Sequence, residues 1–229
     1  MLASDIIDRA RLVLNDTDNT SYRWADSEFL KWINDGQRAI TLVRPDASVS
    51  VETMTCAAGT KQSLPSGAIR LLDVTRNINA DNSVGRAVRL VDRDILDSQN
   101  PDWHSDDQAA VVKNFVYDNR VPTVFFVYPP AKSTSKLEIV ISKNPTDVSA
   151  TSSSLAVADI YTEPLLNYVL FRAYNKDSEY AATAQLAVSY FQAFQAMLGI
   201  KTAKDVGYSP DLNSKGGNPN PAALQTGGV

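Results

Sequence analysis

The sequence predicts an α+β protein: a helical bundle built from N- and C-terminal helix pairs, a β-rich insert (antiparallel sheet or sandwich) between them, and an extended C-terminal arm. Three observations predict it. Apolar residues recur at helical spacing near both ends of the chain. Between them, from 48 to 150, short runs rich in Val, Thr and Ser alternate with turn residues. After 206 the composition collapses to glycine, proline and asparagine among scattered apolar residues. The expected domains are 1–47 plus 155–206 for the helices, 48–154 for the insert and 207–229 for the arm.

Residues 4–15 read as a helix. Ser4 is placed to cap it and Asp5 suits the positive end of the helix dipole. Ile6, Ala10 and Val13 share a face. Asn15 to Ser21 is polar and turn-forming. A second helix is predicted from Asp26 to Val43, with Phe29, Ile33, Ile40 and Val43 in a stripe. Pro45 ends it, because the residue before a proline is pushed out of helical geometry. Strands are predicted at 48–55, 61–64, 69–77, 86–91, 111–117, 123–128 and 136–142, with one short helical turn at 92–99 capped by Asp92. Val124, Phe126 and Tyr128 alternate with Phe125 and Val127, so both faces of that strand are apolar and it should be central. Ser149 to Ser154 reads as a polar linker. Leu165, Leu166, Val169, Leu170, Ala173 and Tyr174 mark a third long helix, with Pro164 in its first turn. A fourth runs from Glu179 to about Ala203, where Tyr180, Ala184, Ala187, Phe191, Phe194 and Leu198 form a packing stripe. Gly199 is expected to bend or fray its end.

The final segment holds five glycines and three prolines between Gly207 and Val229. It cannot bury enough apolar surface to offset its ordering entropy alone. Two readings follow: an idle disordered tail, or an arm that orders against a partner.

Composition narrows the function classes. The chain has 229 residues, 44% of them hydrophobic, enough for one large core or two small ones. The net charge of −4 gives no sign of a nucleic-acid-binding face. One cysteine, Cys56, excludes an internal disulfide, and with one histidine, His104, it leaves too few ligands for a Cys/His zinc site. No run of ~18 apolar residues suggests a membrane span. The first residues carry acids where a secretory signal would be apolar, so Asn15 and Asn19, though in glycosylation sequons, carry little weight. A reducing cytoplasm is the expected setting.

No phosphate-binding, dinucleotide, nucleophile-elbow or zincin motif occurs. Ser133 and Lys136 match a bare SxxK spacing but fall in a polar turn, where the serine lacks a helix start to activate it. Asp92, Asp94 and Asp97 lack the glycine and closing glutamate of a calcium loop, so capping is their expected use. His104, beside Asp106 and Asp107, reads as surface decoration, and Cys56 as a small buried apolar residue. No catalytic, cofactor or metal residue is assigned, and no enzyme is expected. Trp24, Trp32, Phe191 and Phe194 read as core. Trp103, in a loop with proline and aspartates, is either packed core or an exposed interface anchor.

Two blocks resemble a known family. One is WADSEFLKWINDGQRAITLVRPDA, residues 24–47, with its IND-Q segment and RPDA ending. The other is YTEPLLNYVLFRAYNKDSEYAATAQLAVSYFQAFQAMLGIK, residues 161–201. Both resemble the head-to-tail adaptor, or connector, proteins of short-tailed bacteriophages, which sit beneath the portal ring. The insert resembles them by position and character. The resemblance implies a structural virion protein of the phage neck, assembled in the host cytoplasm as a ring of twelve identical copies. It implies the portal protein, neighbouring adaptor subunits and a downstream tail or nozzle protein as partners, with DNA only as passing cargo and no membrane. The arm would dock on the portal or a neighbour. Tyr208, Pro210, Leu212, Pro219, Pro221 and Leu224 are its expected contacts, being the arm residues able to fill pockets, and proline lowers the entropy lost on docking. Two other readings are open. One is a β-domain that binds a ligand or host surface through Trp103, Tyr117 and Tyr128. The other is a carboxylate hydrolase using Glu163 or Asp94.

Overall fold

The computed structural model describes residues 1–177 and 181–208, with side chains through residue 199. The chain divides into two units, Met1–Thr162 and Glu163–Val229, a division that falls elsewhere than the boundaries at 47 and 154 expected from sequence.

The first unit opens with helix α1, Ala3–Leu14. Its first-turn N–H groups need acceptors from outside the helix. A passing segment supplies them: Ala3 N donates to Ser153 O at 3.0 Å and Ser4 N to Thr151 O at 2.8 Å. Ser4 therefore lies inside the helix, and the cap position falls to Leu2, whose N–H donates to Asp5 Oδ2 at 2.8 Å. At the other end Asn15 takes a left-handed backbone (φ 54°), a conformation asparagine tolerates better than most residues. Helix α2, Asp26–Val43, keeps its predicted bounds and buries Phe29, Trp32, Ile33 and Ile40. Pro45 opens a short 3-10 turn, Pro45–Ser48.

Arg11 closes the loop between these helices. Its guanidinium is buried, donates to Asp16 at 2.6 Å, Asp26 at 2.7 Å and the Trp24 carbonyl at 2.9 Å, and lies 3.4 Å from the Tyr22 ring centroid. Asp16 in turn accepts the Arg23 and Trp24 N–H groups.

The IND-Q segment of α2 holds the chain that returns from the insert. Asn34 grips Val148 at both backbone groups, donating to its carbonyl at 3.0 Å and accepting its N–H at 2.9 Å. Buried Gln37 accepts Ala156 N at 2.7 Å, and Arg38 pairs with Asp147 at 2.6 Å. Residues 149–154, expected as a linker, are thus a bound strap. Their backbone serves α1 on one side while their flanks are tied to α2.

Eight strands form two four-stranded sheets. They are β1 Val49–Thr55, β2 Gly59–Ser63, β3 Ala68–Ile78, β4 Val84–Ala87, β5 Arg89–Leu90, β6 Asn114–Tyr117, β7 Val124–Ala131 and β8 Lys136–Lys143. The orders are β1-β8-β3-β4 and β2-β7-β6-β5. Every pairing is antiparallel except β5 with β6. Leu71, Val74, Leu137, Ile139 and Ile141 of the first sheet share one core with Phe115, Phe125 and Val127 of the second. This is a sandwich, with alternate residues of each strand turned inward. β7 is interior to its sheet, as its two apolar faces predict.

Most strands fall within two residues of expectation, and three larger differences have a cause in the structure. The run 86–91 breaks at buried Val88, so β4 and β5 fall in different sheets. The run 111–117 shortens because Asn77 takes both backbone groups of Val112, at 2.7 and 2.8 Å. Pro129 and Pro130, expected as a turn, lie inside β7. They sit where pairing with β2 shifts between Lys61 and Gly59, so the ladder demands no N–H from them. Helix α3, Arg93–Gln99, occupies the predicted 92–99 turn, with the Asp92 carboxylate accepting Asp94 N.

The second unit is a helix hairpin. Helix α4 is Thr162–Lys176 and α5 is Ala181–Tyr208. Tyr168 meets Phe194 at 5.3 Å, Phe171 meets Phe191 at 4.9 Å, and Tyr174 stacks on Tyr190 at 5.5 Å. Numbers rise along α4 as they fall along α5, so the helices run antiparallel. From Ala184 on, the predicted stripe lies along this seam, with Ala187, Phe194 and Leu198 buried, while Glu179 and Tyr180 lie outside the described residues. α5 outruns its expected end at Ala203. It passes through Gly199, and residues 207 and 208, expected in the arm, close the helix instead. The Tyr208 side chain and Pro210, Leu212, Pro219, Pro221 and Leu224 lie outside the described residues. No helix among the described residues is long and apolar enough to cross a membrane.

Candidate interaction surfaces

The outer face of the second sheet carries an open groove of about 850 Å³. Val116 and Phe126 form its floor, and Tyr117 and Val124 stand beside them. The start of α3 gives Asp92, Arg93 and Asp94 to one wall. The 118–121 turn gives Asp118 and Arg120 to the other, and β2 adds Lys61. The lining carries three acids and three bases, and two of the bases have ion-pair partners. Arg120 Nη2 donates to Asp118 at 2.7 Å, and Arg93 pairs with Asp97 at 3.2 Å. The side chain and backbone N–H of Arg120 hold the Asp118 carboxyl down to about 2. Burial pushes the Tyr117 hydroxyl up, and it donates to the Pro122 carbonyl at 3.1 Å. An apolar floor between paired charges suits contact with another surface. It supplies no nucleophile next to a base.

Trp103 packs on this same outer face. It is 1% exposed, packed with Leu96 and Val116, edge-on to Phe126 and Tyr128, and donates from Nε1 to Asp97 Oδ1 at 2.7 Å. The exposed-anchor reading of Trp103 is therefore corrected. The outer apolar face of β7 has to be covered, and this loop indole covers it. His104 stacks on Trp103 at 3.7 Å, and its Nδ1 shares a hydrogen bond of 2.8 Å with the Thr60 hydroxyl. It is a packing element, more than the surface decoration expected. Tyr117 and Tyr128 are half-buried.

The remaining candidates stay apart. Burial pushes the Cys56 thiol up to about 11, so it is neither a thiolate nor a nucleophile at neutral pH. Lys136 donates to Asn82 Oδ1 at 3.0 Å. Asp94 and Glu163 belong to different units. No cluster of three metal-ligating side chains occurs among the described residues.

Among the described residues the molecule presents a groove, sheet edges and helix faces. The sequence matches the SU10 adaptor protein family over residues 1–214. The chain belongs to that family. Adaptor membership bears out the resemblance to phage head-to-tail adaptors carried by residues 24–47 and 161–201. It also extends to the insert, which lies wholly inside the matched span. No curated protein matches the chain. The adaptor match ends at Ser214, so residues 215–229 fall beyond it.

Sequence reasoning missed the groove and the Asn34 clamp. The groove unites Lys61, α3 and the 118–121 turn, which no spacing rule connects. The clamp had a signal in the IND-Q segment, where Asn34 and Gln37 sit one helix turn apart. Their backbone partners lie more than a hundred residues away.

Proposed function

We propose that this chain is a structural virion adaptor that joins the portal to the tail as a ring of identical copies, twelve to match the portal, with DNA passing through. The observation that carries this reading is the family match across residues 1–214. A ring needs two different faces on each copy that complement one another. The chain offers varied surfaces for that purpose, including the sandwich with its groove and the α4–α5 hairpin. In the ring, residues 1–47 and 155–206 serve together as the helical wall and 48–154 as the insert. The arm past α5 docks on the portal or a neighbour through Pro210, Leu212, Pro219, Pro221 and Leu224, with Tyr208 at its root. The setting is the phage neck after assembly in the host cytoplasm, and a nozzle or other tail protein binds below.

Imaging the purified full chain with its portal tests this. The expected result is a closed ring on the portal and a largely monomeric chain without it. Single copies or open filaments on the portal would overturn the ring. Deleting residues 209–229, which spares α5, is expected to weaken portal binding at least tenfold. Unchanged binding would remove the arm from the proposal.

The groove favours one additional reading, in which the sandwich binds a ligand or host-surface group. A glycan array probed with the full chain and with Phe126→Ala tests it, and signal that ignores the substitution speaks against this groove.

A further inference from the structure

Of the four sheet edges in the sandwich, three are blunted. β4 has four residues, a register shift against β3, and Gly85, where an added Cβ would lie 2.9 Å from the Asn77 carbonyl oxygen. β5 has two residues. β2 shifts register between Gly59 and Lys61. β1 is different. Its seven residues pair with β8 in unbroken register, and among the described residues β8 is its only strand partner. An antiparallel strand turns alternate N–H and C=O groups away from its neighbour, so a straight row of them lines the free side of β1. Natural edges are guarded by proline, lysine, bulges or shortness. VSVETMT has none of these, and its one charge, Glu52, is bound by Lys143. Val49 and Val51, 45% and 61% exposed, stand on one face of the strand.

The chain itself contains a segment that fits this edge. Beyond Tyr208 the sequence has one run of five residues free of proline, glycine and charge: Ala222-Ala-Leu-Gln-Thr226, bounded by Pro221 and Gly227. It is as neutral as the edge, and its length matches strand addition. In an extended strand Ala222, Leu224 and Thr226 share a face. The thirteen residues from 209 to 221 can span ~45 Å, more than the width of a small domain. Tail-to-edge contact between copies joins two different surfaces, the kind of contact that closes rings. We propose that residues 222–226 of one copy add as a strand to the free edge of β1 in a neighbouring copy. This rests on the arm reading above and names the neighbour, not the portal, as its seat.

Disulfide trapping tests it with full-length chains. One chain carries Val51→Cys. The second carries one added cysteine at one of positions 222 to 226. Cys56 stays in place, since it is buried. The two are mixed and oxidised both free in solution and with the portal. The expected product is a heterodimer, formed at least tenfold more from one alternating set (222, 224, 226 or 223, 225) than from the other, because alternation is the signature of a strand. Equal yields at all five positions, no product in either condition, or trapping only within a single chain carrying both cysteines would overturn the proposal. The arm reading fails separately, if deletion of 209–229 leaves both portal binding and ring closure unchanged.

Discussion

Two polar contacts show how single side chains hold this molecule. Arg11 and Asp16 are both buried, and each also serves backbone groups of the 15–25 loop. Removing one member of a buried pair strands the other without water. Asp16→Ala is therefore expected to lower unfolding free energy by ~3 kcal/mol, because Asp26 keeps only part of the Arg11 charge matched. Urea unfolding followed by tryptophan fluorescence measures it, and a loss no larger than that of a surface Asp→Ala change would refute it. The second contact is milder. Glu138 accepts from Arg76 and Thr75, which together hold its carboxyl below the ordinary value of 4.5. A depressed carboxyl stabilises the fold above its unfolded pKa and loses that contribution as pH falls through its folded one. The pair is partly exposed, so Glu138→Gln should cost only ~0.5–1 kcal/mol at pH 7. That gap should close as pH drops below about 4.5. A gap constant from pH 7 to pH 3 in urea titrations would exclude this assignment. Neither contact was legible in the sequence. Periodicity marks apolar faces, whereas a buried Arg–Asp pair or the Asn34–Val148 clamp depends on where distant backbone arrives.

At the scale of elements, the helices were readable because one apolar face at a period of 3.6 leaves few alternatives. Asp26–Val43 came out residue for residue. Strand ends were less readable, since side chains elsewhere decide them. Asn77 withdraws Val112 from the ladder, and Val88 turns the chain from one sheet to the other. The α4–α5 hairpin rests on a different principle: its seam is a file of aromatic rings. Phe194 is buried and touches both Tyr168 and Phe191. Replacing it by alanine leaves a cavity that backbone relaxation fills only in part. Phe194→Ala is expected to cost ~3–4 kcal/mol. Hydrogen exchange should show this as faster exchange of α4 and α5 amides, with the sandwich amides unchanged. Equal acceleration throughout residues 1–208 would mean that the hairpin does not open as a separate unit.

For the whole molecule, composition allowed one large core or two small ones, but did not show how the chain divides. Strand order stayed hidden because it depends on which runs meet across the sandwich, and apart from the two apolar faces of 123–128 the runs carry no mark of their neighbours. The charge balance nevertheless carries a consequence for the proposed ring. Each copy bears −4, and two of the groove's cations, Arg93 and Arg120, are held by carboxylates. A channel that DNA must traverse works best when phosphates find few cations to displace, because each phosphate neutralised adds to affinity through counterion release. Twelve such copies would surround the duplex with net negative charge and hold it weakly. The full chain on its portal is therefore expected to bind short duplex DNA more weakly than ~100 μM at ~50 mM salt, near the weak end of non-specific affinities. Binding should change little with added salt. Fluorescence anisotropy with a labelled duplex measures both. Micromolar binding that falls steeply with salt would reveal a cationic lining, and the ring would then grip DNA during passage.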